Sequence, residues 1–139
     1  MISPMDISAS ALSAQRTRMN VLASNIANAH TTRDEHGNVS PYRRQEVLFA
    51  PRIDDGEVVG VRVTRVREAA DPFQWVYQPD HPDAVKDPTS ENHGRVLMPK
   101  INVVQEMVDM MMASRAYEAN LTAMEATKAI GASVARIIG

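Results

Sequence analysis

Four histidines are the residues of this chain best suited to acid–base or metal chemistry: His30, His36, His81 and His93. Each stands in a turn-like context with acids close by, as in "DEHGN" and "HPD". A catalytic zinc needs three side chains converging on one point, and its helical signature, HExxH, sets two imidazoles one turn apart. Neither that motif nor a close-set histidine pair occurs. The stretch "DEHGNVS" lacks the alternating acids and terminal Glu of a calcium loop. There is no cysteine to act as nucleophile or ligand, no glycine-rich phosphate loop and no Ser-His-Asp arrangement. The histidines read as turn and surface residues, and the chain as a non-enzyme without cofactor or metal.

Bulk properties narrow the partners. A net charge of -2 over 139 residues gives no general attraction to nucleic acid or acidic lipid. Arg43 and Arg44, and again Arg62, Arg65 and Arg67, form local basic clusters. Interleaved acids such as Glu46, Asp54, Glu57 and Glu68 cancel much of their field. No apolar run approaches the roughly 20 residues of a membrane helix. The opening "MISPMDISAS" lacks the basic and apolar regions of a cleavable signal peptide, so any export is expected to use another route.

Charge divides the chain into three. Before His30 only Asp6, Arg16 and Arg18 are charged, and charge is sparse again after Asn102. Residues 1–32 start with helix chemistry: Ser3 as N-cap, Pro4 at the first helical position, Asp6 closing a capping box. Met5, Leu12, Met19 and Ile26 then recur every seven residues, with Leu22 between the last two, which is the seam of a paired helix. Ser8 and Gln15 fill the other seam positions. Residues 100–139 repeat the design, with Asn102 and Gln105 as a second capping box. A 4-3 spacing runs through Val103, Met107, Met110, Ser114, Tyr117, Leu121 and Met124 and on to Ile138. At 1.5 Å per residue this helix is about 50 Å long, so it must project.

Residues 33–99 between the arms read as β. "EVVGVRVTRV" places Val59, Val61 and Val63 on one face, and "FQWVY" does the same with Phe73, Trp75 and Tyr77. "RRQEVLFA" and "GRVLMP" are further strands, and "DEHGN", "DDG" and the proline-rich stretch from Gln78 are turns. The expected fold is α+β: long terminal helices pairing as a coiled-coil-like bundle, with a small antiparallel barrel or sandwich between them. Two paired helices bury one seam apiece and leave faces rich in Ala, Ser, Thr and Met, four methionines falling within the six residues from Met107 to Met112. Exposed apolar surface of that extent marks an interaction site. A helical hairpin with a β insertion and a private core satisfies the same pattern.

Longer motifs are more specific. "ISASALSAQRTRMNVLASNIANAHTT", with Asn20, Ser24, Asn25, Ala27, Asn28 and Ala29, resembles the N-terminal signature of the bacterial flagellar basal-body rod proteins. "PYRRQEVLF", "VYQPDHPDA" and "GRVLMPKINVVQEMVDMMMASRAYEAN" resemble segments of its proximal-rod FlgC type. The resemblance implies a structural subunit that assembles with itself and other rod proteins into a hollow drive shaft around the export channel. It implies passage through the flagellar type III export apparatus, assembly in the periplasmic space and no membrane insertion. Another axial subunit of rod or hook type is the alternative, and a metal-dependent enzyme using the loop histidines a remote one. Within such a polymer, Asn20, Asn25 and Asn28 are expected to fix the register of neighbouring helices, since an unpaired buried amide costs roughly 1–3 kcal/mol. Arg115 is expected to make a polar interhelical contact and Tyr117 to pack in the seam, with Asn120 in the same interface. Arms that find their partners in other subunits are expected to be largely without structure in the free chain.

Overall fold

The computed structural model describes residues 3–139, so the first two residues of the expected N-terminal arm lie outside it. Helix α1 spans Pro4–Ala27 and is set by its start: Ser3 accepts from the Met5 amide at 3.2 Å and Asp6 reaches back to the Ser3 amide at 3.1 Å. It ends where Asn28 folds its side-chain amide onto the Ser24 carbonyl, 2.9 Å. Strands β1 (Gln45–Asp54) and β2 (Glu57–Glu68) form one antiparallel hairpin, and β3 (Phe73–Tyr77) and β4 (Arg95–Pro99) a second. Helix α2, Val103–Ile138, follows.

The fold class is α+β as the sequence implies, but the two hairpins do not close into a barrel or sandwich, and neither packs on the other. Each finds a different support. The β1–β2 turn places Asp55 and Gly56 at φ 46° and 83°, the left-handed pair that a two-residue hairpin turn requires. Two bulges twist this ribbon. At one, Thr64 is the extra residue and its hydroxyl donates to the Leu48 carbonyl, 3.0 Å. At the other, Val59 is extra and points inward, buried. Val59, Val61 and Val63 thus share the covered face, and what covers them is α1. Contact is close at Gly60, where an added Cβ would lie 2.3 Å from the Ser10 hydroxyl. That hydroxyl accepts the Val61 amide at 3.2 Å and donates to the Ile7 carbonyl. A lone two-stranded hairpin is marginal in water, so the ribbon owes its order to α1.

The second hairpin has a small core of its own: Val96 and Met98 with Ala84 and, from β3, Val76. The alternation expected of "FQWVY" holds, and the face shared by Phe73, Trp75 and Tyr77 is the one turned away from this core. Trp75 and Tyr77 point to solvent, because the loop from Gln78 to Gly94 folds under the other side and buries Ala84. Phe73 is half-buried beneath the Arg43 guanidinium, 5.1 Å from the ring centre.

That loop is latched to the end of α1. Asp83 accepts from the Thr32 hydroxyl at 2.7 Å and from the Arg33 guanidinium through both carboxylate oxygens. These donors, Thr32 first and Arg33 next, hold the Asp83 carboxyl below its ordinary value. A depressed folded-state pKa contributes stability above the unfolded value of about 3.9, lost as pH falls through the lower folded value. Asp83→Asn is therefore expected to melt below the parent chain at neutral pH, with the gap closing as both are acidified below about pH 4. Thermal melts across pH 2–7 check it; a gap that does not change with pH would remove the latch.

Candidate assembly interface

The most enclosed point of the molecule is polar. Among its largest side chains under 2% exposed are Glu106 and Asn25. An amide offers two donors and two acceptor sites, and Asn25 uses all four. Its Oδ1 accepts from the Gln45 amide at 3.0 Å and the Tyr42 hydroxyl at 3.1 Å. Its Nδ2 donates to the Gln45 carbonyl at 2.9 Å and to Glu106 Oε2 at 3.0 Å. Only this orientation works, since a backbone amide can only donate and a carboxylate only accept. Glu106 Oε1 accepts Arg44 Nε at 2.7 Å, and Arg44 reaches Glu46 at 3.0 Å. Burial opposes the Arg44 charge, yet the hydrogen bond and attraction of Glu106, with Glu46 behind them, raise its pKa above the ordinary value. One cluster thus fastens α1, the start of β1 and the first turn of α2, where an acid also suits the helix dipole.

This anchor sets the pairing of α1 and α2 and corrects the expected seam. Asn25 meets Glu106, and Arg16 lies 3.4 Å from the Tyr117 hydroxyl, so the helices run antiparallel. Burial on α2 follows Glu106, Met110, Ala113, Tyr117, Asn120, Met124 and Thr127. Met110, Tyr117 and Met124 are seam positions as expected. Their alternates fall one residue earlier than Met107, Ser114 and Leu121, because Glu106 is pulled inward by Arg44 and Asn25. Met107 is consequently exposed, while Ser114, Leu121 and Val103 are half-covered at the margin. On α1, Leu12 and Leu22 are buried, Met19 and Ile26 half-buried, and Met5 exposed. Gln15 leaves its Oε1 covered and without a partner.

The asparagines divide. Asn25 finds every partner within its own chain, Asn28 caps α1 and accepts from Thr31, and Asn20 is exposed. Arg115 is exposed with no hydrogen bond to another helix among the described residues, and Asn120 bonds back to the Ala116 carbonyl. At Asn102 half of the expected capping box forms: its side chain accepts the Gln105 amide, but Gln105 turns to Asp109.

What α1 leaves uncovered is the larger finding. Opposite the seam, Val104, Val108 and Met111 line up with Met107 and Met112 into an exposed methionine–valine row. Extending the two fixed contacts brings the capped start of α1 level with about residue 128 of α2, and from Lys128 onward every residue is exposed. This overhang still carries apolar side chains, with Ile137 at 84% and Ile138 at 81% exposure. The projection of α2 was expected from its length; the part played by Glu106 was not. Glu106 carries no local signal, because the 4-3 spacing puts Met107 in the seam and Glu106 outside it.

No set of three or more His, Asp or Glu placed to hold a metal ion occurs among the described residues. His81 accepts the Asp83 amide and His93 donates to the Asp87 carbonyl, both within loops. No helix among the described residues is long and apolar enough to cross a membrane.

The sequence of this chain is similar to that of known proteins. A family described as flagella basal body rod protein matches residues 5–33, and one described as flagellar basal body rod FlgEFG protein C-terminal matches residues 93–137. These bracket the two helical ends and define the class, the rod proteins of the flagellar basal body. Flagellar basal-body rod protein FlgC of Borreliella burgdorferi is 38% identical, across 99% of this chain and 97% of its own. That of Salmonella typhimurium is 40% identical, across 90% and 88%, and that of Aquifex aeolicus 40%, across 91% and 88%. The chain belongs to the FlgC family of flagellar basal-body rod proteins, structural subunits of the rod.

The buried cluster sets the expected cost of breaking it. Arg44→Ala leaves Glu106 buried with one donor and is expected to cost about 3–5 kcal/mol. Arg44→Met with Glu106→Leu should cost less than that single change, since no charge is then stranded. Urea unfolding of both variants decides it; an Arg44→Ala loss under about 1 kcal/mol would mean the cluster holds little.

Proposed function

We propose that this rod subunit polymerises through its terminal helices into a hollow shaft that transmits torque and encloses the export channel. Its partners on this reading are copies of itself and other flagellar rod proteins. It travels through the flagellar type III export apparatus without a cleaved signal peptide and works in the rod, within the periplasmic space. It acts by packing, with no catalysis and no cofactor. Residues 1–32 and 100–139 form the helical core domain, and 33–99 a β-rich outer domain.

One observation carries this reading: α2 keeps an apolar row and an apolar end that its own chain does not cover. Surface of this kind is ordinarily an interaction site, and methionine adapts to neighbours that differ from one subunit to the next. Of the expected interface residues, Met5, Asn20, Met107 and Arg115 stand exposed and free to meet a neighbour. Leu12, Leu22 and Asn25 serve the interface indirectly, by holding α1 and α2 in register. The expectation of largely unstructured arms narrows accordingly to the overhang, since the rest of both helices has partners inside the chain.

Met111→Asp together with Val108→Asp places charge on the row without touching the seam. The purified variant should unfold within about 0.5 kcal/mol of the parent, as surface changes do, while swimming and rod assembly are lost. Normal swimming of cells carrying it would contradict the proposal.

A further inference from the structure

We infer that the second hairpin with its loop, residues 73–99, is a hinged module that turns on a two-stranded neck, and that the Asp83 latch fixes its angle. The inference concerns the free subunit and does not depend on the assembly reading above.

The module is a body of its own. Val76, Ala84, Val96 and Met98 make its core. Its loop is bound back onto β4: the Val85 amide donates to the Arg95 carbonyl at 3.0 Å, and the Gly94 amide to the Val85 carbonyl at 2.9 Å. Neither β3 nor β4 packs against α1, α2, β1 or β2. The chain enters through residues 69–72 and leaves through 100–102, and the Lys100 amide closes this neck by donating to the Pro72 carbonyl at 2.8 Å. A few residues in such a connection can absorb the rotation of a whole body.

There is room for it to turn. A cleft of about 740 Å³ separates the module from the Arg44–Glu106 cluster, with Asp71, Gln74 and Lys100 on one wall and Arg44, Glu46 and Gln105 on the other. These side chains do not bond across it. Glu46 and Glu106 hold Arg44, Gln105 turns to Asp109, Gln74 to the Pro99 carbonyl and Lys100 to Asp71.

A body held at one neck keeps its freedom to turn until a second point is tied, away from the neck. Asp83 is that point. Its side chain is 3% exposed and takes its donors from Thr32 and Arg33, which lie beyond the end of α1. His81 accepts the Asp83 amide at 3.0 Å and so steadies the aspartate from within the module. The contact of Arg43 with Phe73 is a single cation–π pair on an exposed arginine. It stands next to the neck, where it has little leverage.

The absence of cysteine lets spin labels be placed in pairs. Glu91→Cys on the module with Arg115→Cys on α2 reports the angle, and Asn20→Cys with Glu125→Cys, one on each helix, is the reference; all four positions are exposed. Pulsed electron–electron double resonance on the whole subunit should give narrow distance distributions for both pairs. Asp83→Asn should broaden the first at least two-fold and leave the second unchanged, with the amides of β3 and β4 still slow to exchange. Thr32→Val with Arg33→Ala cuts the latch without touching the module and should do the same. Unchanged widths in both variants, a parent distribution as broad as theirs, or rapid exchange in β3 and β4 once the latch is cut would overturn the hinge.

Discussion

A carboxylate shut away from water needs strong partners on both oxygens, and Glu106 sits where the two helices and the start of the β ribbon converge. Arg44 supplies one partner and Asn25 the other. Because Asn25 also brackets the Gln45 backbone, the cluster fixes three chain segments with a handful of hydrogen bonds. Sliding α2 along α1 by one turn would strand the glutamate and the amide together, at a cost of several kcal/mol in a fold whose total stability is of order 5–15. Register is therefore decided inside each subunit, before any neighbour arrives.

That decision divides α2 in two. One side of its first two-thirds is committed to α1; the rest of its surface, and all of its last three turns, is not. A private core would have required either a longer α1 or a shorter α2. The chain has instead a stiff, internally keyed helix pair with apolar surface to spare, which suits a subunit whose remaining contacts come from its neighbours. The outer hairpins are held by α1 and by the Asp83 latch. Torque applied to them would accordingly pass into α1, and through the cluster into α2.

Much of this could be read in the residues. The caps at Ser3 and Asn102, the "DDG" turn and the alternation of Val59, Val61 and Val63 are local signals, and the local chemistry that creates them also decides the structure. On α1 the seven-residue period holds at Leu12 and in part at Met19 and Ile26, but Met5 is exposed and Ala14, Val21 and Asn25, outside the period, are buried. The seam of α2 was misplaced by one residue at its alternate positions because periodicity counts Met107 as core and Glu106 as surface. Only a partner distant in sequence, Arg44, reverses that preference. The alternation in "FQWVY" was legible too, but not which of its faces the loop carrying Ala84 would cover. Both misses arise where long-range contacts outweigh local pattern. The surplus of apolar surface on the helices was visible as an excess of methionine and alanine, but not which part α1 would cover.

Hydrogen exchange of the free subunit, resolved by peptide, tests most directly the claim that the buried cluster splits α2 into a partnered and an unpartnered length. Slow exchange should cover α1 and α2 from Glu106 to about Thr127. From Lys128 onward exchange should approach that of an unfolded chain, because a short helix without tertiary contacts is marginal in water. Uniform protection from Val103 to Ile138, or rapid exchange throughout both helices, would contradict the account.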